Sequence, residues 1–344
     1  MRKVLLGLAI GTAGLLSVVS SQGAVTSGLL FGYNEAGAYK TLWVAPQNGK
    51  LSLVRQGKDV LVPRQSGWWR VGSNTSSAKG LENQQSTKQF IFANPASSSS
   101  KGIPPKFDPE CEEQETTDLL FVHEQYLAVE NSGGGYCKGA AHPWAASTLQ
   151  VRYLDLVQKS GGTSSITSPE PNFVELTDAI DEIAQDQFYR AGDAFYKKLT
   201  AEQQDTFEKS PNATNWALIR RNGQWVIRGR LGYAYEAVRN ACCIDFDTGV
   251  TTTTSLVGHD TLAVPWKTLQ SQNKNIIDAF SSPKKDVLFT LEKKLLTAYA
   301  VQNGKVGAVL LKVPFKNNVS PVMIEWANAG SVSRWTGDIG KFLK

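Results

Sequence analysis

The 344-residue chain is short of the residues on which most catalytic motifs are built. It has two methionines, three histidines and four cysteines. The histidines, His123, His142 and His259, do not pair at metal-ligand spacing, and no C-x-x-C occurs, so a resident metal is not expected. There is no G-x-S-x-G, no Walker loop, no dinucleotide fingerprint and no H-E-x-x-H, so no cofactor is expected either. No run of five like charges is present. The formal charge of +5 is small and dispersed, which excludes the electrostatic footprint of a nucleic-acid binder.

Only one stretch is long and apolar. Arg2 and Lys3 lead into an apolar run over 4–19, followed by the small residues Ser20, Ser21, Gly23 and Ala24. That order reads as a secretory signal peptide, 1–24, and the run is shorter than the roughly 20 residues a spanning helix needs. Its removal takes Arg2 and Lys3 and brings the formal +5 to about +3. The expected address is periplasmic or extracellular, with no transmembrane segment beyond the signal.

An oxidising compartment makes disulfides the default for Cys111, Cys137, Cys242 and Cys243. A bond between the adjacent Cys242 and Cys243 closes a strained ring. The expected pairing therefore takes Cys111 and Cys137 to that vicinal pair, with Cys111–Cys137 as the alternative.

Short β-prone runs about ten residues apart fill 29–71, and Asn48-Gly49 is a strong hairpin signal between two of them. One propeller blade has such a pattern, but no second copy of it occurs, and the repeat count speaks against a propeller. Trp68 and Trp69 are adjacent, so one faces a core and the other a wetter side. The stretch 96–109 carries Pro104, Pro105, Pro109 and a run of serines, and reads as a linker. A hairpin is expected over 118–131 with His123 at its turn. Gly133, Gly134 and Gly135 then open a flexible loop, 133–144, feeding a strand over 147–156. Gly133–135 could also offer amides to an anion, but a plain turn explains them better.

The period then changes. Phe173, Leu176, Ile180, Ile183, Phe188, Ala191, Phe195 and Leu199 recur at threes and fours, predicting an amphipathic helix. Thr200 and Gln203 form a capping-box signal for a further turn. Asp178, Asp181, Glu182 and Asp186 read as its solvated face rather than as acid–base pairs. Further hairpins are expected at Asn222-Gly223 and Asn303-Gly304. The tail after 273 reads as β-rich, including a short aromatic stretch at 332–335.

Three stretches resemble a known extracellular module: Gly139-Ala140-Ala141-His142-Pro143, Tyr153-Leu154-Asp155-Leu156, and Gly258 through Trp266 with Leu269. The module is the one found in RsiV-like anti-sigma factors and ahead of PdaC-like peptidoglycan deacetylases, and the resemblance covers 118–270. It implies an α+β fold, an antiparallel sheet with one main packed helix, here flanked by β-rich N- and C-terminal segments. The corresponding division is 25–95, a linker at 96–109, the module at 110–272 and a β-rich segment at 273–344. It also implies a cell-envelope role, with peptidoglycan, a glycan or a lysozyme-like protein as partner. No cytoplasmic sigma-binding segment and no deacetylase part accompany it.

The candidate ligand-binding residues are Tyr136, His142, Trp144, His259 and Trp266. The leading expectation is a non-catalytic binding module. The alternative is an envelope hydrolase using Cys137 or His142, with His259 and Asp260 as a possible imidazole–carboxylate pair.

Overall fold

The computed structural model describes residues 25–99, 102–140, 142–157, 173–233, 243–252 and 256–343. The proposed signal, Cys242 and Ala141 lie outside them. The chain begins with strands β1 (Gly28–Glu35), β2 (Ala38–Gln47), β3 (Lys50–Lys58), β4 (Val60–Arg64), β5 (Gly67–Lys79) and β6 (Gln85–Pro95). Next come β7 (Cys111–Val122), β8 (Tyr126–Cys137) and β9 (Trp144–Tyr153), then α1 (Leu154–Val157), α2 (Leu176–Ala179), α3 (Glu182–Tyr196) and α4 (Ala201–Thr206). After these come β10 (Trp216–Arg221), β11 (Gln224–Leu231), β12 (Ile244–Thr251) and α5 (Trp266–Gln272). The chain ends with β13 (Asp278–Ser281), β14 (Val287–Glu292), β15 (Leu295–Gln302), β16 (Lys305–Pro314), β17 (Val319–Ala327) and α6 (Ala329–Phe342).

The strands form four sheets: β17-β1-β2-β3, then β4 through β9, then β10-β11-β12, then β13 through β16. Each sheet packs on the next, and the sheets form a propeller-like ring. Leu30, Trp43, Ile91, Leu119 and Met323 bury the contact between the first and second sheets. Phe121, Val151, Trp216 and Ile227 bury the contact between the second and third. Phe31, Tyr33, Phe280, Phe289 and Ile324 join the fourth sheet to the first. Between the third and fourth, Arg220 on β10 reaches Asp278 on β13 at 2.9 Å. The ring is closed by chain ends, because β17 pairs antiparallel with β1 from Gly28↔Ala327 to Glu35↔Val319.

This overturns the α+β expectation. Among the described residues 52% are in strands against 18% in helices, and no single helix organises them. The helical period is real: α3 is N-capped by the Asp181 carboxylate and lays Phe188 on Phe246, ring centroids 5.4 Å apart. Yet it covers only the third sheet. Periodicity reports which face of an element is apolar, not how many sheets share the burial. The lack of a sequence repeat likewise proved a poor guide, since a four-sheet ring needs repeated geometry and not repeated sequence.

Local signals fared better. Asn48-Gly49, Asn222-Gly223 and Asn303-Gly304 all lie at hairpin turns with φ positive at both residues, the type I′ geometry that suits the strand twist. The capping box of Thr200 and Gln203 starts α4. The stretch 96–109 joins two strands of the same sheet, since β6 and β7 are parallel neighbours at Lys88↔Glu115. The tail adds a helix, α6, where the sequence suggested a short β segment. Its Trp335 meets Trp68 edge-on at 5.3 Å and Trp43 at 5.8 Å, while Trp43 Nε1 donates to Thr336. Trp69 is buried and Trp68 is half-covered by α6.

A histidine ties the first and second sheets together. His123 Nδ1, at the β7–β8 turn, lies 2.5 Å from the Glu325 carboxylate on β17. Burial pushes the imidazole down, but the Glu325 hydrogen bond and charge outweigh it and its pKa stands above the ordinary value. A raised histidine pKa gives stability that is complete below the unfolded value and is lost as pH rises through the folded one. Glu325→Gln is therefore expected to lower the melting temperature more at about pH 6 than at about pH 9. Equal losses at both would disprove the charged pair.

Candidate functional site

The glycine run is not a loop. Gly133, Gly134 and Gly135 are interior to β8, paired on one side with Glu115, Gln114 and Glu113 and on the other with Ala146, Ala145 and Trp144. Glycine is required there by close approach. A Cβ on Gly135 would lie 2.1 Å from the Glu112 carbonyl oxygen, and one on Gly133 would lie 2.6 Å from that of Gln114. Beside them, Cys111 and Cys137 face each other across β7 and β8 with Cα atoms 4.0 Å apart and are joined by a disulfide. The longer-range pairing is thereby overturned: Cys243 is disulfide-bonded too, but to neither of these. Adjacent antiparallel strands already hold the two side chains at bonding distance.

Strand alternation sets what lies on each face. Cys111, Glu113, Glu115, Cys137 and Trp144 share one face, with Lys88 from β6 beside them. Tyr136, 40% exposed, points to the other, so Tyr136 and Trp144 cannot grip one ligand. On the shared face the Lys88 ammonium lies 2.9 Å from both Glu113 and Glu115. All three are buried, and desolvation raises Glu115 above the ordinary carboxylate range against the pull of Lys88. The Phe107 ring sits 5.4 Å from the ammonium. Above this floor opens a groove of about 580 Å³, walled by Trp144, Phe107 and Lys106 and backed by the disulfide. His142 is exposed, two residues before Trp144.

His259 and Trp266 lie elsewhere. Trp266 opens α5 and packs with Leu262, Val301 and Val306 on a small core of Val264, Leu269 and Ile276. Burial pushes the His259 imidazole down, against hydrogen bonds with the backbone of Ser281 and Thr261, and Lys285 pushes the same way. Asp260 does not orient it. That carboxylate takes the Arg220 guanidinium at 2.6 Å and the Trp225 amide. The five candidates therefore do not form one site. Cys137, held in a disulfide, offers no thiolate.

A second cavity was invisible in the sequence. It also measures about 580 Å³ and is bounded by residues of all four sheets, among them Asn34, Asp118, Glu130, Arg220, Asp278 and Ser320. Asp118 on β7 stands directly opposite Glu130 on β8. Glu130 is neutralised by Arg230 at 2.7 Å, and Asp278 by Arg220. Asp118 has no cationic partner among the described residues. It accepts from the Tyr39 hydroxyl, which in turn accepts from the Leu119 amide at 2.7 Å. Burial, and then the Glu130 charge, raise its pKa above the usual carboxylate range. Alternation marked β7 as a strand, but no local signal says that its residue 118 faces three other sheets.

No protein-family model matches the chain, and none of the curated proteins does. Among solved structures, it is similar to a member of the DUF3298 family from Bacteroides fragilis, with 11% identity over 59% of this chain and 94% of that one. The TM-score is 0.31, at which the likeness carries no argument. No described helix is long and apolar enough to cross a membrane.

Proposed function

We propose that this is an exported cell-envelope protein that binds a glycan, peptidoglycan being the leading candidate, in the groove above Cys111–Cys137, and does not transform it. The disulfide fits an oxidising compartment. The observation that carries the reading is the groove itself, where two partly exposed aromatic rings, Trp144 and Phe107, flank a charged floor. An aromatic face suits the apolar face of a sugar ring, and the polar groups beneath can take its hydroxyls. The floor is pre-set, because Lys88 is pinned between two carboxylates on paired strands.

Cosedimentation of the mature chain with insoluble peptidoglycan tests the reading, with immobilised lysozyme as a parallel arm. Retention on peptidoglycan is expected. Trp144→Ala should weaken it about tenfold, on the order of 1.4 kcal/mol, the scale of an aromatic anchor. No retention, or full retention by the variant, counts against the groove. Retention on lysozyme alone replaces the glycan with a protein partner.

A further inference from the structure

The geometry points to a second site, independent of the groove: the four-sheet cavity and the recess beside it accept a short peptide with a free ammonium at one end and a free carboxylate at the other. Three observations support it. First, the cavity presents one carboxylate, Asp118, that has no counter-ion among the described residues. The other two acids in its wall are neutralised from within, Glu130 by Arg230 and Asp278 by Arg220. Asp118 is held in place by Tyr39, and its neighbour across the strand pair repels it. Like charges directly opposite in a sheet are destabilising, so a bound cation here relieves a standing cost.

Second, the cavity adjoins a neighbouring recess, because Ile277 and Asn318 line both. The recess carries Lys274, Lys293 and Lys294, all exposed and none with an acidic partner among the described residues. Glu292 also lines the recess, so its three lysines leave it net positive by two. Negative charge in the cavity and net positive charge in the recess match a zwitterion in one orientation. Third, the shared wall carries one exposed apolar side chain: Ile277 is 44% exposed and lines both hollows. It offers a surface for a small side chain, with Asn318 and Ser320 near to bond peptide groups.

Calorimetric titration with trialanine, N-acetyl-trialanine and trialanine amide tests this on the full mature chain. Trialanine should bind at millimolar concentration or better. Acetylation should weaken binding about tenfold or more, the scale of a lost charge-assisted hydrogen bond. Amidation should weaken it by a smaller factor, because the lysines are exposed to solvent. Asp118→Asn should remove the distinction between the free and acetylated forms, and a Lys293→Gln, Lys294→Gln double variant the distinction between acid and amide. Asp118→Asn keeps the shape and removes a repulsion, so its melting temperature should not fall. A fall would mark Asp118 as structural. Equal binding of free and acetylated peptide, or no binding of trialanine, overturns the site. Both outcomes leave the glycan groove untouched, since Trp144 and Phe107 line a different hollow.

Discussion

Replacing Arg220 by alanine should cost about 3–5 kcal/mol of folding stability, the usual penalty for breaking a buried ion pair from one side. The Arg220 side chain is only 5% exposed. It donates to both oxygens of Asp278, at 2.9 and 3.0 Å, to Asp260 at 2.6 Å and to the Ala279 carbonyl at 2.9 Å. Its plane also lies over Trp225, 5.2 Å from the ring centroid. Removing it leaves the Asp260 and Asp278 carboxylates with no cation between them. Desolvation already raises the Asp260 pKa against the pull of Arg220, so in the variant a proton must bind or water must enter. The site is also the seam between the third and fourth sheets, where charged groups do what apolar cores do at the other three contacts. Arg220→Lys should fall between the two, because an ammonium cannot fork across Asp278. Urea unfolding curves measure all three proteins. A loss under about 1 kcal/mol for the alanine variant would show that the seam is held by other contacts.

The second large effect is expected from Cys111 and Cys137. Their bond closes a loop with a sequence separation of 26, for which the chain-entropy account gives about 3.5 kcal/mol. The Cys111→Ser, Cys137→Ser double variant should lose stability on that scale. Reductant should destabilise the native protein further than the variant pair predicts, because Cys243 is disulfide-bonded as well. Both serines enter where β7 and β8 are already paired, so the loss should show in unfolding and not in the pairing of the strands. Thermal unfolding of wild type and variant, each with and without reductant, separates the two bonds. Identical melting of wild type and double variant without reductant would refute the assignment.

How much of this was legible beforehand follows the range of each interaction. The Asn-Gly turns, the Thr200 capping box and the α3 period are settled within a few residues, and the sequence reading matches them. The glycines at 133–135 looked the same locally whether hinged or paired. Only the carbonyls of Glu112 and Gln114, on another strand, explain why no side chain fits. Residues 329–342 contain Gly330, Gly337 and Gly340, poor helix formers, and α6 forms because Val332, Trp335, Ile339 and Phe342 have Trp43 and Trp68 to cover. Of the proposed binding residues, Trp144 was found from a composition signal near a cysteine. Asp118 passed unnoticed, as a lone acid in a β-prone run carries no mark of what stands opposite.

The sequence alone determined the turns, most strand positions, the amphipathic face of α3 and a cysteine content suited to an oxidising compartment. These follow from backbone sterics, side-chain periodicity and thiol chemistry, each local to the chain. Tertiary structure alone decided that four sheets close on one another, that Cys111 meets Cys137, and that Asp118 looks into a shared cavity. Those outcomes depend on strands such as β1 and β17, nearly three hundred residues apart in sequence, finding each other, and no short window of residues contains that pairing.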